Sequence, residues 1–175
     1  EVQRLVNDVD NKILAMALVH QKLYESRNLS RIDLGDYLRD LAAALVSGYS
    51  LIPGQVKINT QAEAMVCLID LAVPCGLVVT ELVSNAFKHA FPRGQRGEIQ
   101  ITLSRIAASR VALRVADNGI GPPVEFDPRR TPMLGLRTVF MIVEHQLKGT
   151  LSWSVPGAGM VWDIEFPDTQ YSERV

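Results

Sequence analysis

The 175-residue chain is 47% apolar and 21% charged, with 18 Lys and Arg against 19 Asp and Glu for a formal charge of −1. That is ample for a core in one large domain, or one domain with a helical extension, and it gives no electrostatic case for nucleic acid or an anionic membrane. No apolar run approaches a bilayer-spanning length, no signal peptide opens the sequence, and Cys67 and Cys75 fit no zinc or redox spacing, so the chain reads as cytoplasmic, or as the cytosolic part of a larger protein, with reduced core thiols.

Residues 1–27 are predicted to form a helix, with Val2, Val6, Val9, Ile13, Met16, His20 and Leu23 spaced 4-3-4-3-4-3. This is a heptad seam, and it requires partner helices. No other segment supplies a matching long helix, so a second subunit or a segment outside the chain is expected to cover it. After a break at Arg27 and Asn28 comes a second helix, capped by Asp33, with Asp36 in its first turn. Leu34, Tyr37, Leu38, Leu41 and Leu45 line its inner face, and Gly48 is a plausible stop.

Strands are expected over 56–60 and 65–69, then a helix over about 71–90 that tolerates Pro74 in its first turn and ends at Phe91-Pro92. Alternating strands follow at 98–105 and 110–116. Residues 122–134 carry four prolines, Phe126, Arg129 and Arg130, with little periodicity. A loop of this length inside a compact domain is usually functional, and both arginines could reach phosphates. A helix over 135–147 and a hairpin of 150–155 with 160–166, turning through Pro156-Gly157-Ala158-Gly159, complete the chain. Helices on one face of a mostly antiparallel sheet make an α+β fold, a two-layer α/β sandwich.

The chemistry is concentrated in two short runs. Glu81, Asn85, Lys88 and His89 lie at i, i+4, i+7 and i+8 of one helix and share a face. Asn85 offers a neutral carbonyl oxygen suited to Mg²⁺, Lys88 a point charge for phosphate, and Glu81 a carboxylate able to polarise a nucleophile. Asp117 ends an alternating strand before Gly119 and Gly121, which let the backbone turn close to a ligand. There it can accept a hydrogen bond from an exocyclic amine, which distinguishes adenine from guanine. Either run alone is ordinary, an amphipathic helix or a hairpin turn. Their order, followed by the helix start at Gly135-Leu136, points to a metal-bound nucleotide.

These residues carry a resemblance. The chain is similar to the ATP-binding half of a sensor histidine kinase, in the GHKL (Bergerat-fold) ATPase superfamily. Residues 81–90 match its N box, 117–121 its G1 box and 134–137 its G2 box, and Gly157 to Gly159 resemble the G3 turn. The Lys88-His89-Ala90-Phe91-Pro92 ending resembles the HisKA_2 subfamily, and the absent Trp-x-Glu feature separates it from the HWE relatives. Met160 departs from a common Gly-Thr pair after the G3 turn.

The resemblance implies Glu81 as catalytic carboxylate. It implies Asn85, Lys88, His89, Asp117, Gly119, Ile120, Gly121, Leu134, Gly135 and Leu136 as nucleotide-binding residues, with Asn85 also a metal ligand. ATP and Mg²⁺ are the implied cofactors, residues 122–134 a short ATP lid, and a response-regulator receiver domain and a homodimer through the N-terminal helix the implied partners. Residues 1–27 would be the second helix of a dimerisation hairpin and 28–175 the ATP-binding domain. His20 lies on the seam, whereas a phosphoacceptor must be open to a γ-phosphate; the resemblance puts the acceptor on a preceding helix, upstream of Glu1. His145 is expected on an exposed helix face. The implied reaction is transfer of the ATP γ-phosphoryl group to a histidine, then to an aspartate. An anti-sigma-type serine kinase and a non-catalytic ATP-binding scaffold are the alternatives.

Overall fold

Alternation builds the sheet. A computed structural model describes residues 2–25, 31–49 and 55–168. The elements in order are α1 (Val2–Glu25), β1 (Arg31–Asp33), α2 (Leu34–Tyr49), β2 (Val56–Ala62), β3 (Val66–Leu68), α3 (Ile69–His89), β4 (Gly97–Ala107), β5 (Arg110–Asp117), α4 (Leu134–Met141), β6 (Thr150–Ser154) and β7 (Met160–Pro167). Five strands pair in the order β2-β4-β5-β7-β6, with β2 and β4 parallel and the other pairs antiparallel.

Ile99, Ile101 and Leu103 of β4, Val111, Leu113 and Val115 of β5, and Trp162, Ile164 and Phe166 of β7 are buried at alternate positions. Their neighbours face water, where Arg114 donates two hydrogen bonds to Asp163 across the β5–β7 pair at 2.7 and 3.2 Å. One buried and one solvated face is the expected signature of a sheet covered by helices on one side only. The α+β sandwich expected from sequence is the observed fold.

The central helix, α3, buries Leu71, Ala72, Cys75, Val78, Val79, Leu82 and Val83. Its 21 residues are long and apolar enough to cross a membrane, contrary to the sequence reading, but 72% of its most apolar window is buried inside the domain. The Asp33 cap forms as expected, its Oδ1 accepting from the Asp36 amide at 3.1 Å.

Several elements depart from expectation. The strand expected over 65–69 shortens to β3 and leaves the main sheet to pair with β1, which had no sequence signal at three residues. The last helix does not run unbroken to Leu147: α4 ends at Met141 and a π turn, Ile142–Gln146, carries the chain on. There the amide of Leu147 reaches back to Ile142 at 2.9 Å, and Lys148 turns the chain out with φ 53°.

The first helix has a face that the heptad pattern did not reveal. Ala15 and Val19 are buried and Leu18 packs against the same core, so α1 docks on the rest of the fold. Tyr37 of α2 donates to the Ala15 carbonyl at 3.0 Å, and Lys22 meets Asp36 at 2.9 Å and Asp40 at 2.6 Å. The seam is a different stripe. Val9, Ile13, Met16 and His20 are exposed; the side chains of Val2, Val6 and Leu23 lie outside the described residues.

Candidate functional site

Between α3 and the ends of β5 and β7 lies a cavity of about 340 Å³, within the range of small-molecule pockets. Its walls are almost wholly apolar. Leu82 and Ala86 of α3, Val115 of β5, Leu136 of α4 and Met160 and Trp162 of β7 contribute most of them. Asp117 is the single carboxylate in this lining.

Asp117 is held by backbone. It is the last residue of β5, paired on one side with Ile99 and on the other with Met160. The Gly119 amide donates to its Oδ1 at 2.9 Å, and the Met160 amide also donates to its carboxylate. Burial pushes the Asp117 pKa up, partly offset by these two N–H donors. A carboxylate fixed in this way, in an apolar wall, has lone pairs left over and accepts only. It selects a ligand that brings an N–H donor.

The loops around it are stitched to the neighbouring elements. The Ile120 amide donates to the Ala90 carbonyl at 2.9 Å, tying the turn after β5 to the end of α3. Asn118 exchanges bonds with Glu98, 3.2 Å through its amide and 2.8 Å through its Oδ1. The hairpin turn closes against the strand end because Gly159 has φ 78° and no side chain. A Cβ there would stand 1.9 Å from the Asp117 carbonyl oxygen.

The helix face splits in two. Asn85 and His89 line the cavity, as do Ile120 and Gly121 from the turn after β5. The carboxamide nitrogen of Asn85 is buried without a hydrogen-bond partner. A ligand oxygen would satisfy it, or a half-turn of the amide would present its carbonyl oxygen to a cation. Gly119 is buried and outside the lining, with its amide donating to Asp117. Half-buried Lys88 lies outside the lining, and Leu134 is 76% exposed and also outside it.

Glu81 is not in the cavity either. Its side chain is only 12% exposed, and its Oε2 lies 3.3 Å from the Lys12 Nζ of α1. Its other oxygen lies against Gly135, where a Cβ would come within 1.7 Å of Oε1. The glycine that opens α4 is what makes room for this carboxylate.

The loop between β5 and α4 is organised by its own side chains. The Asp127 Oδ1 accepts from the Arg129 amide at 2.9 Å. Arg129 then pairs with Glu144 at 2.9 Å and stacks on the Phe140 ring at 4.5 Å. In this structure the Arg129 guanidinium is turned to the π turn and α4 rather than to the cavity. Arg130 lines a smaller cleft within the loop, with Glu125, Asp127 and Thr131. His145 is exposed, as expected, and so is His20.

Sequence reasoning missed the apolar walls, Leu82, Met133, Trp162 and Phe126 among them. It also missed Lys12. The Trp162 position was the most accessible of these, since β7 alternates Met160, Trp162, Ile164 and Phe166 toward the helices.

The histidine kinase-, DNA gyrase B- and HSP90-like ATPase family matches residues 72–170, and the HisKA_2 histidine kinase family matches residues 1–49. Among curated proteins, a blue-light-activated histidine kinase of Erythrobacter litoralis is 28% identical over 94% of this chain and 48% of its own length. The sensor histidine kinase PdtaS of Mycolicibacterium smegmatis is 31% identical over 85% of the chain and 30% of its own length. The chain therefore spans about half or less of these relatives. Among solved structures, the histidine kinase domain of the Erythrobacter litoralis blue-light-activated kinase superposes with a TM-score of 0.82 at 28% identity, over 93% of this chain and 76% of that one. The catalytic domain of histidine kinase ThkA shares the fold, with a TM-score of 0.62 at 20% identity over 79% of this chain and 96% of that one.

Proposed function

The chain belongs to the histidine kinase-, DNA gyrase B- and HSP90-like ATPase family, in its HisKA_2 sensor-kinase branch, and on that premise we propose that it binds ATP between α3 and the β5–β7 strand ends and directs the γ-phosphoryl group to a histidine. The histidine then passes it to an aspartate on a response-regulator receiver domain. The observation that carries this reading is Asp117, a backbone-held carboxylate and the single one in a mostly apolar cavity.

Asp117 accepts the exocyclic amine of adenine, which guanine replaces with an acceptor oxygen. Met160, Trp162 and Leu136 pack against the base. Asn85 and Lys88 face the phosphates, with the backbone amides that open α4 at Gly135. His89 and Ile120 border the mouth. Glu81 polarises the accepting nucleophile. Most of the catalysis is positioning.

Among the described residues no group of three or more His, Cys, Asp or Glu could hold a metal ion. As placed, the unpartnered Asn85 Nδ2 would donate to a phosphate oxygen; turned to present its carbonyl oxygen, the same side chain would suit a magnesium ion that takes its other ligands from phosphate oxygens and water. Such an ion would neutralise phosphate charge. Residues 1–27 act in this reading as a hairpin helix that pairs two copies through the exposed seam, and residues 28–175 as the ATP-binding domain.

Calorimetry with Mg-ATP tests the binding. One ATP per chain is expected, and absence of nucleotide binding refutes the reading. Incubation with γ-labelled ATP, with a His20→Ala control, tests the acceptor. Acid-labile label that survives His20→Ala is expected in the full-length protein, whereas label lost with His20→Ala would place the acceptor on α1.

A further inference from the structure

Helix α1 carries two stripes. Lys12, Ala15, Val19 and Lys22, spaced 3-4-3, face the ATP-binding domain, while Val9, Ile13, Met16 and His20 face water. At 100° per residue the two stripes are about 110° apart around the helix. The docked stripe ends, toward the nucleotide site, on Lys12 and Glu81. One carboxylate oxygen of Glu81 meets the ammonium and the other is pressed against Gly135. Both oxygens that could receive a nucleophile's proton are covered.

We propose that the Lys12–Glu81 pair is a latch, through which the docking of α1 withholds the Glu81 carboxylate from the nucleophile until the helix shifts. The inference rests on the reading of Glu81 as the polarising carboxylate. It deepens that reading by making the site's activity depend on the position of α1.

The latch is weak enough to open. Lys12 is 38% exposed, and a pair of that kind contributes little. Ala15 and Val19 are the only fully buried apolar side chains on the described part of α1, and both are small. The polar contacts of Lys22 with Asp36 and Asp40, about three turns on, give the helix a pivot that survives loss of Lys12, and the hydrogen bond from Tyr37 to the Ala15 carbonyl limits how far it swings. Movement of α1 about that pivot would withdraw Lys12 and free Glu81 while leaving the adenine cavity, which α1 does not line, unchanged.

The test compares Lys12→Met and Lys12→Arg with the wild type in the full-length protein. Three readouts are taken: Mg-ATP affinity by calorimetry, hydrogen exchange of the α1 amides, and phosphorylation rate from γ-labelled ATP. Lys12→Met should lower α1 protection and raise the rate, each roughly two- to fivefold, the range open to a partly exposed ion pair, with ATP affinity unchanged. Lys12→Arg should restore both. A Lys12→Met rate equal to or below the wild type, with ATP still bound, overturns the latch and leaves the nucleotide site standing. Failure of the wild type to bind ATP at all overturns both.

Discussion

The two ends of the site are built differently. The end proposed for adenine is made from strand ends and mostly apolar side chains. Its one charge, Asp117, is fixed by the amides of Gly119 and Met160. The end proposed for the phosphates is made from Glu81 and Lys88 on α3 and the opening of α4 at Gly135, with Lys12 of α1 lying over Glu81. Backbone in a five-stranded sheet has nowhere to go, so the first end is preorganised. The second is set by how helices sit against one another, and one of them docks through small side chains and partly exposed ion pairs. The proposed latch would therefore change the chemistry while base recognition stays constant.

Breaking the rigid end should have the largest effect. Gly159→Val forces a β-branched side chain into φ 78° and within 1.9 Å of the Asp117 carbonyl. Strain and overpacking together should cost at least about 2 kcal/mol in denaturant unfolding, and displacement of the Met160 amide should take ATP binding with it. Gly157→Ala is the control. It shares the positive φ, at 81°, but meets nothing within 4 Å, so it should cost only about 1–2 kcal/mol and spare binding.

The boundary between the ends is sharpened by Asn85. If its amide serves phosphate and metal, Asn85→Ala should weaken Mg-ATP roughly tenfold, the worth of a hydrogen bond to a charged group, while adenosine affinity hardly changes. An equal loss for both ligands would place Asn85 in base recognition instead.

A smaller effect is expected at the loop before α4. Arg129→Ala removes the contacts with Phe140 and Glu144 and should lower stability by about 0.5–1 kcal/mol. ATP affinity should stay within about twofold. A collapse in affinity would return Arg129 to the phosphates.

The smallest is a pH effect at Asp117. Burial raises its pKa in the fold, so the native state holds the proton more tightly than the unfolded chain. Its stabilising contribution is complete below the ordinary carboxylate value and is lost as pH rises through the raised native value. Asp117→Asn should therefore gain stability relative to the wild type on going from acid to neutral pH in the absence of nucleotide, as read by thermal unfolding at several pH values. A constant difference across that range would show that burial does not penalise the carboxylate.

What sequence revealed follows the same division. Asp117 was legible because strand alternation ends on a turn of glycines, a pattern confined to a few residues. Asn85 and His89, which line the cavity, were legible because helical spacing is local too. The walls were not, because Leu82, Met160 and Trp162 keep core periodicity whether they face a packed interior or a cavity. Lys12 and Glu81 are far apart in sequence, and the docked stripe of α1 hid beside a more regular heptad. The pairing of Arg129 with Glu144 was not legible because the two lie 15 residues apart. Strand β1 and the π turn are single-turn or three-residue features that depend on their partners rather than on propensity.

The account stands on Asp117 reading adenine. Calorimetric titration of the wild type and Asp117→Ala with Mg-ATP and Mg-GTP measures this directly. The wild type should bind ATP and discriminate against GTP, and Asp117→Ala should bind ATP roughly 10- to 100-fold more weakly and lose the discrimination, with its fold intact by circular dichroism. Equal wild-type affinity for the two nucleotides, or unchanged ATP affinity in Asp117→Ala, would contradict it.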